Sequence, residues 1–487
     1  MIPVILMCTV IPLACFLFSC QKIGLPKSIL SHFWFFTIVW YVSFPIRAVL
    51  ISFDLIDLQV ERLWSWDEVA YSVVLSFIFW FFTYLGYLSM HEKGNSKISL
   101  PVNNDNAASA FRGQIIVSIT IVMAIYFLYS TVLQGGEFRA FIGNEQNEMR
   151  VGKGGFFLLS ELFILSSIAY LGRVMYIRRK TVLSGVETFL YIGVFFLSVL
   201  MSVAINSRRI MATLMLAAVV IYTVRGRRRW LLPALAIVAT FLLSPVMQVI
   251  RYINVTGLIN GDVSIIEAFS TLKNHRLFLT IFSSSFEGAD HLAVFMEKAG
   301  WLQLFTGVDG GVSWLYNAVL ALIPRTLWLN KPEIYGNVAQ QYLLYPEMYA
   351  SGAATTTLPP SFIVDFSFGF GVLFGFFLCV LLGRVLALMS TIIWDGTSNA
   401  SAKAIALFVF INIFNIVRGG TGFIQSLLMF AVMTGFVLGF RETWEVIKAI
   451  IKRVFSFSRY TFSSESTGQL KELVSLGQIT TEKLNGK

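Results

Sequence analysis

The chain has 487 residues, of which 56% are hydrophobic and 15% aromatic, while only 13% are charged. Soluble domains carry roughly a quarter charged residues, so this composition excludes an ordinary soluble domain and indicates a polytopic membrane protein. The net charge of +10 does not point to nucleic acid, because most of the excess lies in short loops beside apolar runs and in the C-terminal tail, where positive-inside topology accounts for it.

A span needs about 20 mostly apolar residues. By that rule about eleven helices are predicted, near residues 1–20, 30–51, 69–90, 114–133, 155–177, 182–204, 208–224, 230–250, 361–389, 402–418 and 422–440. The expected fold is therefore all-α: transmembrane helices over 1–250, a large loop over 251–360, three more spans over 361–440 and a basic tail over 441–487. The first run has no basic leader and no convincing small-residue cleavage site before Lys22, so it reads as a retained anchor. Cys8, Cys15, Cys20 and Cys379 lie in or against apolar runs without a CxxC pair. They read as small buried hydrophobes.

Lys and Arg fall on alternate connections. One set comprises Lys22 and Lys27; Lys93, Lys97 and Arg112; Arg178, Arg179 and Lys180; Arg225, Arg227, Arg228 and Arg229; Arg384 and Lys403; and the tail from Arg441. These are expected to be cytoplasmic. The other set opens at 52–68, where Asp54, Asp57, Glu61, Asp67 and Glu68 outweigh Arg62. This alternation puts the N-terminus outside, the C-terminus inside, and the segment from Arg251 to Pro360 outside.

Against that rule, Arg47, Arg208, Arg209, Arg251, Arg325 and Arg418 stand at the predicted outer ends of apolar segments. Such loops normally run short of positive charge. Each arginine alone could be an interfacial anchor that extends its head to water, but their recurrence suggests an anionic ligand held at that face. The sharpest local sequence is Pro324-Arg325-Thr326-Leu327-Trp328-Leu329-Asn330-Lys331-Pro332. Its two prolines bracket a rigid turn, which could hold the Arg325 fork and the Lys331 point charge on phosphate oxygens.

Within the large loop, residues from Asp290 to Gly300 read as a helix with Asp290 as N-cap and Gly300 as terminator. Glu287 and His291 would share a face if that helix began earlier. Asp365 stands near the outer end of the next span, as a candidate base or as an arginine's counter-ion. No phosphate-binding loop, kinase motif set or dinucleotide fingerprint occurs, and no HExxH or carboxylate cluster accompanies His32, His91, His275 and His291. The expectation is a reaction with no cofactor and no metal. No internal repeat supports an inverted-repeat transporter.

The many spans, the late external loop, the PR..W..KP stretch running to Gly336, the long helix led by Pro359 and Pro360, and the pair after Asn206-Ser207 together resemble the O-antigen polymerase family, the Wzy-type repeat-unit polymerases. The arginine, ten residues, glycine spacing from Arg325 to Gly336 is similar to a motif of some members. Arg139 and Arg150 have no glycine at that spacing, so a second copy is missing. The likeness extends over roughly residues 30–440 and rests on layout and short motifs. It implies a GT-C-like glycosyltransferase at the periplasmic face of a bacterial inner membrane. Donor and acceptor would both be polyprenyl-diphosphate-linked oligosaccharides, and a chain-length regulator in the same membrane is an implied partner. Arg208, Arg209, Arg325 and Arg418, then Arg47, Arg251, Arg276 and Lys331, would neutralise the diphosphate, and Glu287, Asp290 or His291 would serve as base. An O-antigen ligase or a flippase of lipid-linked sugars are the rival readings. A flippase needs a charged path across the bilayer, whereas the mid-span residues here are mostly Phe, Leu, Ile and Val, with Asn412, Asn415 and Gln425 as exceptions.

Overall fold

A computed structural model describes residues 2–23, 30–53, 66–91, 107–132, 162–174, 288–312, 361–394 and 399–456, together with a few isolated positions. Among these residues regular structure is entirely helical. In chain order the helices are α1 (Ile2–Ile23), α2 (His32–Tyr41), α3 (Arg47–Ser52), α4 (Trp66–His91) and α5 (Ala107–Val132), then α6 (Leu162–Val174) and α7 (Gly288–Thr306), and finally α8 (Phe362–Trp394), α9 (Ala400–Ile411), α10 (Ile413–Arg418), α11 (Gly420–Leu438) and α12 (Phe440–Phe455). Among the described residues, three stretches are long and apolar enough to cross a membrane: His32–Ile51, Val69–Met90 and Phe362–Trp394. The expected spans at 182–204, 208–224 and 230–250 lie outside the described residues, apart from isolated positions in the first.

The outer faces are apolar as well as the core. On α5, Phe111, Ile119, Val122, Ile125, Tyr126 and Tyr129 are all exposed, a surface that suits lipid and not water. Since lipid tails are as apolar as leucine, helices in such a setting gain little from apolar burial and instead pack closely through small residues. The crossing of α4 and α8 shows this. A methyl group on Gly383 would sit 1.9 Å from the Thr83 carbonyl oxygen, and one on Gly86 would sit 2.0 Å from that of Val380. Gly383→Ala must push the two helices apart, at a cost of about 1–3 kcal/mol. The melting temperature in detergent should fall, while Gly185→Ala, at a helical position with open space around it, should leave it unchanged or higher.

Around that crossing lies an aromatic core. Trp80 stacks on Trp40 and Tyr84 at ring-centroid distances of 5.8 and 5.4 Å, and Phe33 stacks on Tyr87 at 4.5 Å. The indole nitrogen of Trp80 donates to Thr37 Oγ1 at 3.0 Å, and Thr37 donates to the Phe33 carbonyl. The buried Trp80 indole and Thr37 hydroxyl thus each have a partner.

α8 is not the single straight span expected over 361–389. Gly371 breaks it with φ 77° and ψ 164°. The first arm folds back: a Cβ on Gly375 would lie 3.4 Å from that of Phe366, although nine residues of straight helix would separate them by about 13 Å. Phe362 and Phe376 also both lie against Phe79. Residues 362–370 therefore form a short arm inside the bundle, and 372–394 is long enough to span by itself. Only glycine suits position 371, because its φ is positive and a Cβ would sit 2.0 Å from the Phe305 carbonyl oxygen. The end of α7 docks on this corner, where the Val308 amide donates to the Phe368 carbonyl at 2.7 Å.

Two cations counted among the loop charges belong instead to the packed core. Arg384 lies within α8, which runs on to Trp394, and its Nη2 donates to the carbonyls of Ser456 at 2.9 Å and Arg453 at 3.3 Å. Lys403 lies within α9 and donates through Nζ to the carbonyls of Ile393 at 2.8 Å and of Ile392. Each satisfies orphan acceptors at a helix C-terminus, where a positive charge is also favoured. The segment from Arg441, expected as a tail, begins as α12 and packs on α11, α8 and α9. The expected span at 402–418 is also interrupted: Asn412 ends α9 and starts α10, with its side chain donating to the Phe408 carbonyl.

Candidate functional site

The feature that organises the candidate site begins at Pro45. Proline lacks an amide hydrogen and clashes with the preceding turn, and the helix accommodates it by widening into a π-helical turn over Val42–Ile46. Such turns rotate the following residues relative to a regular helix and recur at functional sites. Arg47 is the first residue beyond the turn, and the sequence FPIR shows the cause.

Arg47 reaches α7. Its Nε donates to Asp290 Oδ1 at 3.1 Å and its Nη2 to Oδ2 at 2.6 Å, a bidentate fork. The two side chains are 1% and 7% exposed. A charged pair this deep is held by its geometry, since isolated burial of either partner is strongly unfavourable. Gly288 allows the approach, because a methyl group there would meet the Phe44 ring at 2.8 Å. Asp290 is not the N-cap expected for it: α7 already includes Gly288, which puts Asp290 in the first turn, where an acid is favoured by the helix dipole. Gly300 does interrupt the helix, with φ 69° and ψ 169°.

His291, next to Asp290, is buried at 4% exposure. Arg418 ends α10 with its guanidinium carbon 5.4 Å from the centroid of the Phe414 ring, a cation–π contact. α2 and the α9–α10 stretch run side by side in the same direction: His32 Nε2 is bonded to the Ala406 carbonyl oxygen at 2.8 Å, Phe35 stacks on Phe410 at 4.9 Å, and α10 packs on α2. Arg418 and Arg47 therefore stand toward the same end of the bundle, the end on which α7 sits. Asp365 is fully buried in the folded-back arm of α8, and its carbonyl accepts from Trp314 Nε1 at 3.1 Å.

Five of the candidate residues are thus placed, Arg47, Asp290, His291, Asp365 and Arg418, and two of them, Arg47 and Asp290, are bound to each other. Glu287, Arg208, Arg209, Arg251, Arg276, Arg325 and Lys331 lie outside the described residues. The pair was not anticipated in sequence, where Arg47 was expected on a diphosphate and Asp290 as a cap or base. It joins positions 243 residues apart, and no local pattern encodes such a partner. Trp314, which seals the fold-back against Phe366 and Phe370 at 5.2 and 5.6 Å, was also missed as a contributor. In the sequence it is one tryptophan of the apolar run VSWLYNAVLALIP, with no local mark of its partners.

Chemically, the bidentate pair is close to neutral as a unit and ties α7 to the start of α3. Arg418 contributes positive charge at the same end. The chain as a whole matches no family model, no curated protein and no solved structure.

Proposed function

We propose that this chain is a membrane glycosyltransferase that joins polyprenyl-diphosphate-linked oligosaccharide repeat units at the outer face of a bacterial inner membrane, in the manner of an O-antigen polymerase. The observation that carries the reading is the tie between Arg47 and Asp290. It ties α7, which belongs to the 251–360 segment, into the end of the bundle where Arg418 stands; in this reading Arg276, Arg325 and Lys331, with Arg208, Arg209 and Arg251, would serve the same face. A lipid diphosphate carries its charge at headgroup level while its tail stays in the bilayer, and it calls for cations of this kind around one face.

In this reading the cations hold the donor diphosphate and stabilise the negative charge that develops on it as it leaves. The acceptor hydroxyl oxygen attacks the anomeric carbon, the bond from that carbon to the diphosphate oxygen breaks, and the hydroxyl proton passes to a base. Glu287 and His291 are the candidates for that base. Asp290 is held by Arg47 and serves to orient α7. The sugar–diphosphate bond supplies the driving force, so neither nucleotide hydrolysis nor a cofactor is required. A chain-length regulator in the same membrane would act on how many units are joined.

Deleting the gene in its own host separates the related chemistries. A polymerase leaves single repeat units on the surface glycolipid, a ligase leaves none, and a flippase leaves units stranded at the inner face. Electrophoresis of the surface glycolipid should show the single-unit band without the ladder. A glycolipid with no added unit at all would replace polymerisation by one of the other two.

A further inference from the structure

α12 follows α11 after a turn at Gly439, whose φ of 121° redirects the chain. The helix is not a loose arm. Thr443, Val446 and Val454 are buried against the bundle, Ser401 Oγ lies 3.4 Å from Thr443 Oγ1, and Arg384 binds the carbonyls of Arg453 and Ser456 at its far end. This docking fixes which faces remain open.

Two different faces are open. Phe440, Trp444, Ile451 and Phe455 are each more than half exposed and fall within an arc of roughly 60° at 100° per residue. Beside them runs a second exposed stripe of Arg441, Glu445, Lys448 and Lys452. Lys448 joins the two, with its Nζ 2.9 Å from Glu445 Oε1 and 5.5 Å from the centroid of the Trp444 ring. The apolar stripe is continuous with the outer face of α11. Phe436 on α11 and Phe440 on α12 meet edge to face at 4.9 Å, and Val432 and Phe436 are themselves exposed. Whatever covers the outer face of α11 therefore also covers the apolar stripe of α12, and for an apolar helix packed beside membrane-spanning stretches that is lipid.

We propose that α12 is an interfacial helix that lies in one leaflet, with Phe440, Trp444, Ile451 and Phe455 among the acyl chains and Arg441, Lys448 and Lys452 on anionic lipid headgroups. A helix with one apolar face, a basic polar face and a tryptophan at the boundary has the composition for this location. Its cations add attraction to a negatively charged leaflet. The occupant is a lipid surface and not a partner protein, because the apolar stripe is narrow, edged by charge and continuous with the outer face of α11.

The test uses the full chain in nanodiscs of phosphatidylcholine with phosphatidylglycerol, carrying an environment-sensitive fluorescent amino acid at position 444, 451, 445 or 452. At 444 and 451, brominated acyl chains should quench more strongly than aqueous iodide, and at 445 and 452 the order should reverse. Omitting phosphatidylglycerol, or introducing Lys448→Gln with Lys452→Gln, should raise iodide quenching at 444. Equal quenching by iodide at all four positions would overturn the interfacial placement. Protection of 444 and 451 from both quenchers would also overturn it, by showing a protein on the stripe. A pattern indifferent to phosphatidylglycerol and to the lysine changes would overturn the headgroup contact.

Discussion

Replacing Asp290 by alanine is expected to lower the stability of the protein by about 3–5 kcal/mol, the range for stripping one partner from a buried ion pair. The variant leaves the Arg47 guanidinium, 1% exposed, without its bidentate acceptor in a setting where water cannot replace it. Arg47→Ala should cost a similar amount, because a carboxylate is then left in the same place. The double variant Arg47→Met with Asp290→Leu should recover most of the loss, since exchanging a buried pair for apolar residues of similar size is often neutral. Measured against Arg47→Met and Asp290→Leu alone, each expected to cost about 3–5 kcal/mol, the double change should therefore be far from additive. The coupling should reach several kcal/mol, at or above the about 0.5–3 kcal/mol usual for residues in contact. Apparent melting in detergent, followed together with protease cleavage in the 251–360 segment, reads this cycle. If both single variants melt like the parent chain, the pair does not tie α7 to the bundle, and Arg47 becomes available to a ligand.

How far this was legible in sequence depends on the range of the interaction. Hydropathy located the ends of α2–α3, α4 and α11 to within a few residues, because a membrane span is specified by a local run of apolar side chains. Gly300 was read as a break from its identity alone, and the structure has one there. The fold-back of α8 was not legible. Gly371 sits in FSFGFGVLFGFF among other glycines, and only contact with the Phe305 carbonyl singles it out. The loop assignment of Arg384 and Lys403 failed for a related reason. Charge pattern shows that a cation stands near a helix end, but not that it turns inward to satisfy that end's carbonyls. The same charge pattern could not distinguish an arginine held by a carboxylate from one held ready for phosphate, and Arg47 proves to be of the first kind.

The second large effect concerns Arg325. In the proposed reading Arg325 serves the diphosphate, and a guanidinium offers paired donors to phosphate oxygens that lysine cannot match. Arg325→Ala should abolish polymer while the protein accumulates normally, since the residue serves the ligand and not the packing. Arg325→Lys should recover only a small part, whereas a mere surface anchor would be replaced by lysine without loss. Losing one transition-state contact of this class costs about 10²–10³ in rate, enough to remove long chains altogether.

The most direct measurement is incubation of the purified protein with a synthetic polyprenyl-diphosphate-linked repeat unit in vesicles, without nucleotide sugar and without added metal. The account predicts a ladder of products spaced by one repeat unit, with free polyprenyl diphosphate released at each step and no ladder from Arg325→Ala. Intact substrate recovered after incubation with folded parent protein, or a ladder that Arg325→Ala forms equally well, would contradict it.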